Sequence, residues 1–189
     1  GRIDGYVEQA LYYARSGSLD RDYVVRELPL SQVVRDALRT HARSLIDRGV
    51  SVSAQGLDLV VLSDATWVAL ILGQLVENAA KYRAPTEGPG ARGAVLTLRA
   101  TRHDVGRASE HVVLEVEDNG PGIAPEVLPR IFEPRFTTKH GQVRFGLGLG
   151  MGLAKSVVDA HGGTIVVESR PGRTLVRVTL PTDHTQEAP

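Results

Sequence analysis

The sequence lacks several features that would assign it to common classes of protein. None of its 189 residues is cysteine, which excludes disulfides and thiolate metal sites. Its 22 basic residues balance its 22 acidic ones, so charge indicates neither a nucleic-acid partner nor an anionic membrane surface. No apolar run approaches the roughly 20 residues of a membrane span, and no signal peptide is recognisable. We therefore expect one soluble, cytoplasmic globular domain with a small extension.

Two well-known nucleotide motifs are also missing. No Gly-Lys-Ser or Gly-Lys-Thr completes a P-loop. The glycine cluster at residues 146–150 does not fit the dinucleotide fingerprint, because residues 137–145 before it are polar, basic and turn-like. A nucleotide site in this chain would have to be of another kind.

A strand that ends in a carboxylate is the first candidate element of such a site. Residues 112–117 alternate apolar and acidic side chains, which predicts a half-buried strand ending at Asp118. A carboxylate there can accept a strong hydrogen bond from an exocyclic amine such as that of adenine. Gly120 and Gly122 allow a close backbone approach. Taken alone, these residues would more often form an ordinary Asp-Asn-Gly turn.

A glycine cluster is the second element: Gly146, Gly148 and Gly150, with Leu147 and Leu149 between them. It precedes a predicted helix over residues 153–160 that stops at a His-Gly-Gly sequence. Glycines that open a helix let backbone N–H groups point at an anion, which the helix dipole also favours. The alternative is a glycine loop without a ligand.

A helix that begins near Ser63 or Asp64, either of which can cap it, is the third element. Its predicted buried stripe consists of Val68, Leu72, Leu75, Ala79 and Tyr82. Its other face carries Gln74, Asn78 and Lys81, which lie three or four residues apart.

This polar face has the side chains that a metal-bound triphosphate needs. The amide oxygen of Asn78 suits Mg²⁺, and Lys81 offers a mobile positive charge to phosphate. Gln74 and Glu77 could hold a water molecule or polarise a nucleophile. The alternative is a solvated polar face of an amphipathic helix.

Residues 132–145 are a candidate lid over the phosphates. Phe132 and Phe136 could anchor it on apolar surface, and Gly141 makes it flexible. Its basic side chains are Arg135, Lys139, His140 and Arg144. Basic groups over a triphosphate neutralise charge during phosphoryl transfer. The alternative is a surface loop whose charges meet only water.

Together these motifs resemble the catalytic ATP-binding domain of bacterial sensor histidine kinases, in the gyrase, heat-shock chaperone, kinase and mismatch-repair ATPase superfamily. Residues 74–82 resemble the N box, 118–122 the G1 box, 131–138 the F box and 146–150 the G2 box. Four boxes in this order, within a match over roughly residues 22–181, are far more specific than one motif.

The resemblance implies a set of roles for these residues. It implies catalytic roles for Gln74, Glu77, Asn78 and Lys81, and a Mg²⁺ ligand at Asn78. It implies that ATP is bound by Asn78, Lys81, Tyr82, Asp118, Gly120, Gly122, Ile123, Phe132, Phe136, Lys139, Arg144, Gly146, Leu147, Gly148, Leu149 and Gly150. The implied partners are the protein's own dimerisation and phosphotransfer domain and a response-regulator receiver domain. The full-length protein would be a membrane-anchored homodimer.

One position departs from the usual pattern. Most such kinases carry Asn where this chain has Gln74 at the start of the N box. At this glutamine, and in residues 64–67, 6–16 and 22–25, the chain resembles the intramembrane-sensing kinases that respond to peptide antibiotics.

The coarse pattern predicts an α+β fold, and the resemblance makes it the Bergerat ATP-binding fold. We expect a two-layer sandwich with a mixed, mostly antiparallel sheet and helices on one face. Residues 1–17 would be the end of the second helix of the phosphotransfer hairpin and residues 18–21 a linker. The catalytic domain would cover residues 22–181, and residues 182–189 would be a disordered tail. Within the domain we expect a strand at 23–27 and a helix over 30–48 with Leu45 and Ile46 facing inward.

Several alternatives stay open at this point. The chain could be an ATPase or a serine kinase of the same superfamily, or a nucleotide-regulated binding module without catalysis. The ATPases of this superfamily usually carry a glutamate at the first N-box position, where it activates water. Gln74 occupies that position here and makes the ATPase alternative less favoured. Among the histidines, only His103 is followed by an acidic residue, and it lies at a strand end rather than on a helix. We therefore expect the phosphoacceptor histidine to lie upstream of residue 1.

Overall fold

A computed structural model describes residues 24–82, 93–133, 136–139, 142–145, 150–160 and 162–182. The predictions for the helix at 1–17, the linker at 18–21 and the tail after residue 182 lie outside these residues. Among the described residues, no helix combines the length and apolar character needed to cross a bilayer.

A five-stranded sheet forms one layer of the molecule. Its strands are β2 (Val50–Gln55), β4 (Ala94–His103), β5 (His111–Asp118), β8 (Thr164–Arg170) and β9 (Arg173–Pro181). Their order is β2-β4-β5-β9-β8, and only β2 and β4 are parallel. The prediction of a mixed, mostly antiparallel sheet is confirmed.

Helices cover one face of this sheet. They are α1 (Leu30–Asp47), α2 (Ala65–Lys81) and α3 (Gly150–Ala160). The core includes Leu72 of α2 and Leu96, Leu98 and Leu114 of the sheet, each at most 1% exposed. The opposite face carries ion pairs instead, since Arg residues of β4 and β9 meet Glu residues of β5 and β8. This arrangement confirms the predicted two-layer sandwich.

A second, two-stranded sheet joins the start of the described chain to the core. It pairs β1 (Arg26–Pro29) with β3 (Val60–Ser63) in antiparallel register. The predicted strand at 23–27 is therefore placed about three residues too early. Of the two predicted candidates, Ser63 and Asp64, it is Asp64 that caps α2, by accepting hydrogen bonds from the N–H groups of Thr66 and Trp67. Its other oxygen accepts the N–H of Val24 at 2.9 Å.

Two predicted burials are wrong, both at helix ends. Ile46 is 75% exposed in the last turn of α1, whereas its neighbour Leu45 is buried. Tyr82 is 40% exposed, because it follows the last residue of α2 and leaves the buried stripe after Ala79.

The candidate lid contains a hairpin where a loop was expected. Strand β6 (Phe136–Lys139) pairs with β7 (Gln142–Phe145), with Phe136 opposite Phe145 and Lys139 opposite Gln142. This pairing brings the backbones of Phe136 and Phe145 opposite each other. Predictions for Gly146, Leu147, Gly148 and Leu149 lie outside the described residues.

Candidate functional site

Asp118 lies at the carboxyl end of β5, where the sheet meets the end of α2. Its Oδ1 accepts the N–H of Gly120 at 2.8 Å. The side chain is half-buried. Burial raises the pKa of Asp118 to about 6; the Gly120 hydrogen bond opposes this shift and the negative charge of Glu117 adds to it. A half-buried carboxylate with this pKa has a strong need for a hydrogen-bond donor when it is ionised.

The glycines after Asp118 are required by close contacts. We call residues 118–122 the Asp118 turn. A Cβ on Gly120 would lie 2.5 Å from the carbonyl oxygen of Tyr82, and one on Gly122 would lie 2.5 Å from that of Arg170. Gly122 also has a φ of +81°, which disfavours other residues. The turn is therefore in direct contact with the end of α2 and with the β8–β9 hairpin.

The polar face of α2 ends beside this turn. Asn78 is half-buried, Lys81 is exposed, and Lys81 Nζ lies 4.8 Å from the centroid of the Tyr82 ring. Gln74 is half-buried and Glu77 is exposed, one turn earlier on the helix. Within the described residues, no hydrogen bond engages the side-chain amide of Asn78. An amide oxygen is one of the ligand types that Mg²⁺ accepts together with phosphates and water.

The F box packs against the first turn of α3. The carbonyl oxygen of Phe132 would lie 3.0 Å from a Cβ on Gly152, so a side chain at Gly152 would be crowded. Lys155 Nζ lies 5.9 Å from the centroid of the Phe132 ring. Phe132 therefore fixes the start of the lid segment on α3, near Gly150 at the end of the G2 box. The backbones of Phe136, Lys139 and Arg144 lie in the β6–β7 hairpin.

Other residues connect the segments of the candidate site, and local sequence patterns do not indicate them. Ser169 Oγ accepts the N–H of Ile123 at 2.8 Å, and the N–H of Gly172 donates to the carbonyl of Gly120 at 3.0 Å. Arg48 donates to the carbonyl of Ala80 at 3.2 Å, at the end of α2. These contacts join residues 32 to 52 positions apart, and no local pattern reveals such pairs.

The comparisons with known proteins agree with this geometry. Residues 63–184 match the family described as "Histidine kinase-, DNA gyrase B-, and HSP90-like ATPase". The chain belongs to this ATPase family. The matched region contains α2, the Asp118 turn and α3, which are the elements that form the site.

Its relatives include proteins named as sensor kinases. The chain is 32% identical to the sensor protein BceS of Halalkalibacterium halodurans over 97% of its own length and 52% of that protein. It is 31% identical to the sensor histidine kinase YxdK of Bacillus subtilis, over 95% of its own length and 53% of that protein. The chain thus spans about half the length of these relatives. The resemblance to sensor histidine kinases is confirmed.

Solved structures share the fold. The catalytic domain of the histidine kinase ThkA matches with a TM-score of 0.67 and 24% identity, over 84% of this chain and 96% of that one. Full-length ShkA, solved in complex with AMPPNP, matches with a TM-score of 0.75 and 23% identity, over 95% of this chain and 36% of that one. At these identities the two structures support the fold alone.

Proposed function

We propose that this chain is the ATP-binding catalytic part of a sensor histidine kinase. In this proposal it binds ATP and donates the γ-phosphate to a histidine on a helical hairpin upstream of residue 1. The phosphoryl group then passes to an aspartate of a response regulator. The whole protein would be a membrane-anchored homodimer whose catalytic domain lies in the cytoplasm. Its likeness to the antibiotic-responsive intramembrane-sensing kinases stays a prediction.

The observation that carries this proposal is the contact between the Asp118 turn and the end of α2. This contact, between Gly120 and the carbonyl of Tyr82, supports a single site that combines the carboxylate of Asp118 with Asn78 and Lys81 near the end of α2. One molecule with an amine at one end and a triphosphate at the other fits both chemistries. We infer that Asp118 binds the base and that Lys81 binds phosphate.

Asn78 would hold Mg²⁺ through its amide oxygen. When bound, the ion would neutralise charge on the phosphates. The residues of the chain would supply the rest. Lys81 adds positive charge near the phosphates, and the lid segment with Lys139 and Arg144 adds more. Gln74 and Glu77 remain candidates for orienting the reacting groups.

The metal role of Asn78 predicts a metal-dependent defect. Asn78→Ala should weaken Mg·ATP binding roughly tenfold while it changes metal-free ATP binding much less, because the lost atom contacts the ion. Calorimetric titrations with Mg²⁺ and with EDTA measure the two losses. Gln32→Ala, which removes an exposed amide from α1, is the matched control. Equal losses in both titrations would assign Asn78 to packing.

A phosphotransfer experiment tests the function as a whole. The chain, labelled ATP and the separately expressed dimerisation hairpin of the same parent protein are mixed. The hairpin should acquire acid-labile, base-stable phosphate, because this chain supplies the donor and the hairpin the acceptor. ADP release without labelled hairpin would favour an ATPase. We do not expect that outcome, because Gln74 is a neutral amide and cannot serve as a general base. Labelled serine would favour a serine kinase. Nucleotide binding without turnover would favour a regulatory module without catalysis.

A further inference from the structure

Asn119, between Asp118 and Gly120, ties the Asp118 turn to the start of β4. Its Oδ1 accepts the N–H of Val95 at 2.8 Å, and its Nδ2 donates to the carbonyl of Gly93 at 2.8 Å. Its backbone N–H donates to the carbonyl of Val95 at 3.3 Å. Both polar atoms of the side chain are thus engaged by one short stretch of the neighbouring strand.

These bonds fix the backbone on the far side of Asp118. On the near side, Asp118 is held in the β-sheet opposite Leu96 and Thr174. Its Oδ1 is engaged by the N–H of Gly120, which leaves Oδ2 to meet a ligand. With both flanks held and Oδ1 bonded to Gly120, the side chain of Asp118 is restrained in its position. Without the side chain of Asn119, the two bonds to Val95 and Gly93 are lost, and residue 119 keeps only its backbone bond to the carbonyl of Val95.

Direction matters because a carboxylate alone does not prefer adenine to guanine. Adenine presents an amino group at its 6-position, where guanine presents a carbonyl oxygen. Guanine has other donors nearby, at N1 and at the 2-amino group, that a displaced carboxylate could bind. A carboxylate fixed opposite the 6-position meets a donor in adenine and a repelling acceptor in guanine. Selectivity therefore depends on where the carboxylate is held.

We propose that Asn119 is a specificity-determining positioning residue that holds Asp118 opposite the 6-position of the purine and so sets the preference for ATP over GTP. The inference rests on the ATP site proposed above. Asn119 itself does not contact the base in this proposal. It acts through the orientation of Asp118.

The experiment measures the dissociation constants of ATP and GTP by calorimetry for the wild type and three variants. Wild type should prefer ATP. Asn119→Ala should lower the ratio of the GTP to the ATP dissociation constant about tenfold. The hydroxyl of Asn119→Thr can replace one of the two side-chain bonds, so this variant should give a ratio between those of wild type and Asn119→Ala. The control is Thr182→Ala, which removes a 2.8 Å bond to the carbonyl of Glu110 at the opposite end of the sheet and should leave the ratio unchanged.

Each other outcome overturns the inference. If Asn119→Ala weakens both nucleotides by the same factor, Asn119 is structural only. Should that variant fail to fold by circular dichroism, Asn119→Thr decides by the same ratio. A wild type that binds ATP and GTP equally removes the basis for selectivity but leaves the nucleotide site standing. A wild type that binds neither nucleotide refutes the proposed function itself.

Discussion

Asp118→Asn should weaken ATP binding by about one to two orders of magnitude while it stabilises the nucleotide-free domain. The amide can keep the bond from Gly120 through its oxygen, but it presents an NH₂ donor to the amino group of adenine. Losing a charged hydrogen bond costs roughly 1.5–3 kcal/mol, or about one to two orders of magnitude in Kd. Isothermal titration with ATP measures this loss.

The gain in stability follows from the raised pKa of Asp118. The folded-state pKa of about 6 lies above the ordinary value of 3.8, so between these pH values the folded domain binds the proton more tightly than the unfolded chain. The free energy of unfolding therefore falls as pH rises through this window, and above it the ionised carboxylate destabilises the empty site. We expect Asp118→Asn to raise the free energy of unfolding at pH 7.5 by about 1 kcal/mol, well below the full value of the pKa shift, because solvent screens part of the charge.

One control variant and a pH titration separate these effects. Asp58→Asn removes the same charge at an exposed position and should change neither quantity. In the wild type, ATP affinity should fall as pH drops below about 6, because the protonated carboxyl is a poorer acceptor, and binding there should release protons. Titrations in buffers of different ionisation enthalpy measure that release. An Asp118→Asn variant with unchanged ATP affinity would refute the adenine role.

The sequence predicts best what depends on neighbouring residues. Capping of α2 by Asp64 requires only residues 64–67, and the sequence limits the choice of cap to Ser63 or Asp64. The strand that ends at Asp118 is also predicted from neighbouring residues, because its two faces differ in polarity. By contrast, the bond from Val24 to the second oxygen of Asp64 spans 40 residues, and no local pattern indicates it.

Strands without an alternating apolar pattern are not predicted from the sequence. Alternation reveals strands that bury one face, and the four-residue strands β6 and β7 have little of it, so the lid was expected to be a loop. The contact of the β8–β9 hairpin with the Asp118 turn depends on strand order, which the sequence does not encode locally. Glycine was the only hint: Gly120 and Gly122 lack side chains because Tyr82 and Arg170 occupy the space where a Cβ would lie.

The chain alone should not phosphorylate itself, and this prediction is all-or-none. Incubated with labelled ATP, it should acquire no acid-labile, base-stable phosphate. Residues 1–16, the predicted hairpin helix, contain no histidine. Transfer also requires the γ-phosphate and the nucleophile in near-attack geometry. A donor site without its acceptor helix cannot provide this geometry.

The described histidines are poor acceptors for structural reasons. His103 ends β4, and its ring stacks on that of His111 with the ring centroids 5.3 Å apart. The neighbouring Asp104 accepts a hydrogen bond from Ser109 within the β4–β5 turn, so its carboxylate is already engaged. His41 lies on a helix, but its half-buried ring has Nε2 against Gly73 of α2, which restricts the approach of a phosphoryl donor.

Mass spectrometry at alkaline pH, where phosphohistidine survives, would locate any label. His103→Gln and His41→Gln test the two sites independently: label that persists in one variant and disappears in the other identifies the acceptor. Phosphohistidine at either position would make the chain self-sufficient and would remove the need for an upstream hairpin. If the chain stays unlabelled alone but labels the added hairpin, the acceptor lies in the hairpin, because ATP, metal and donor site are then identical in the two reactions and only the helix that carries the nucleophile differs.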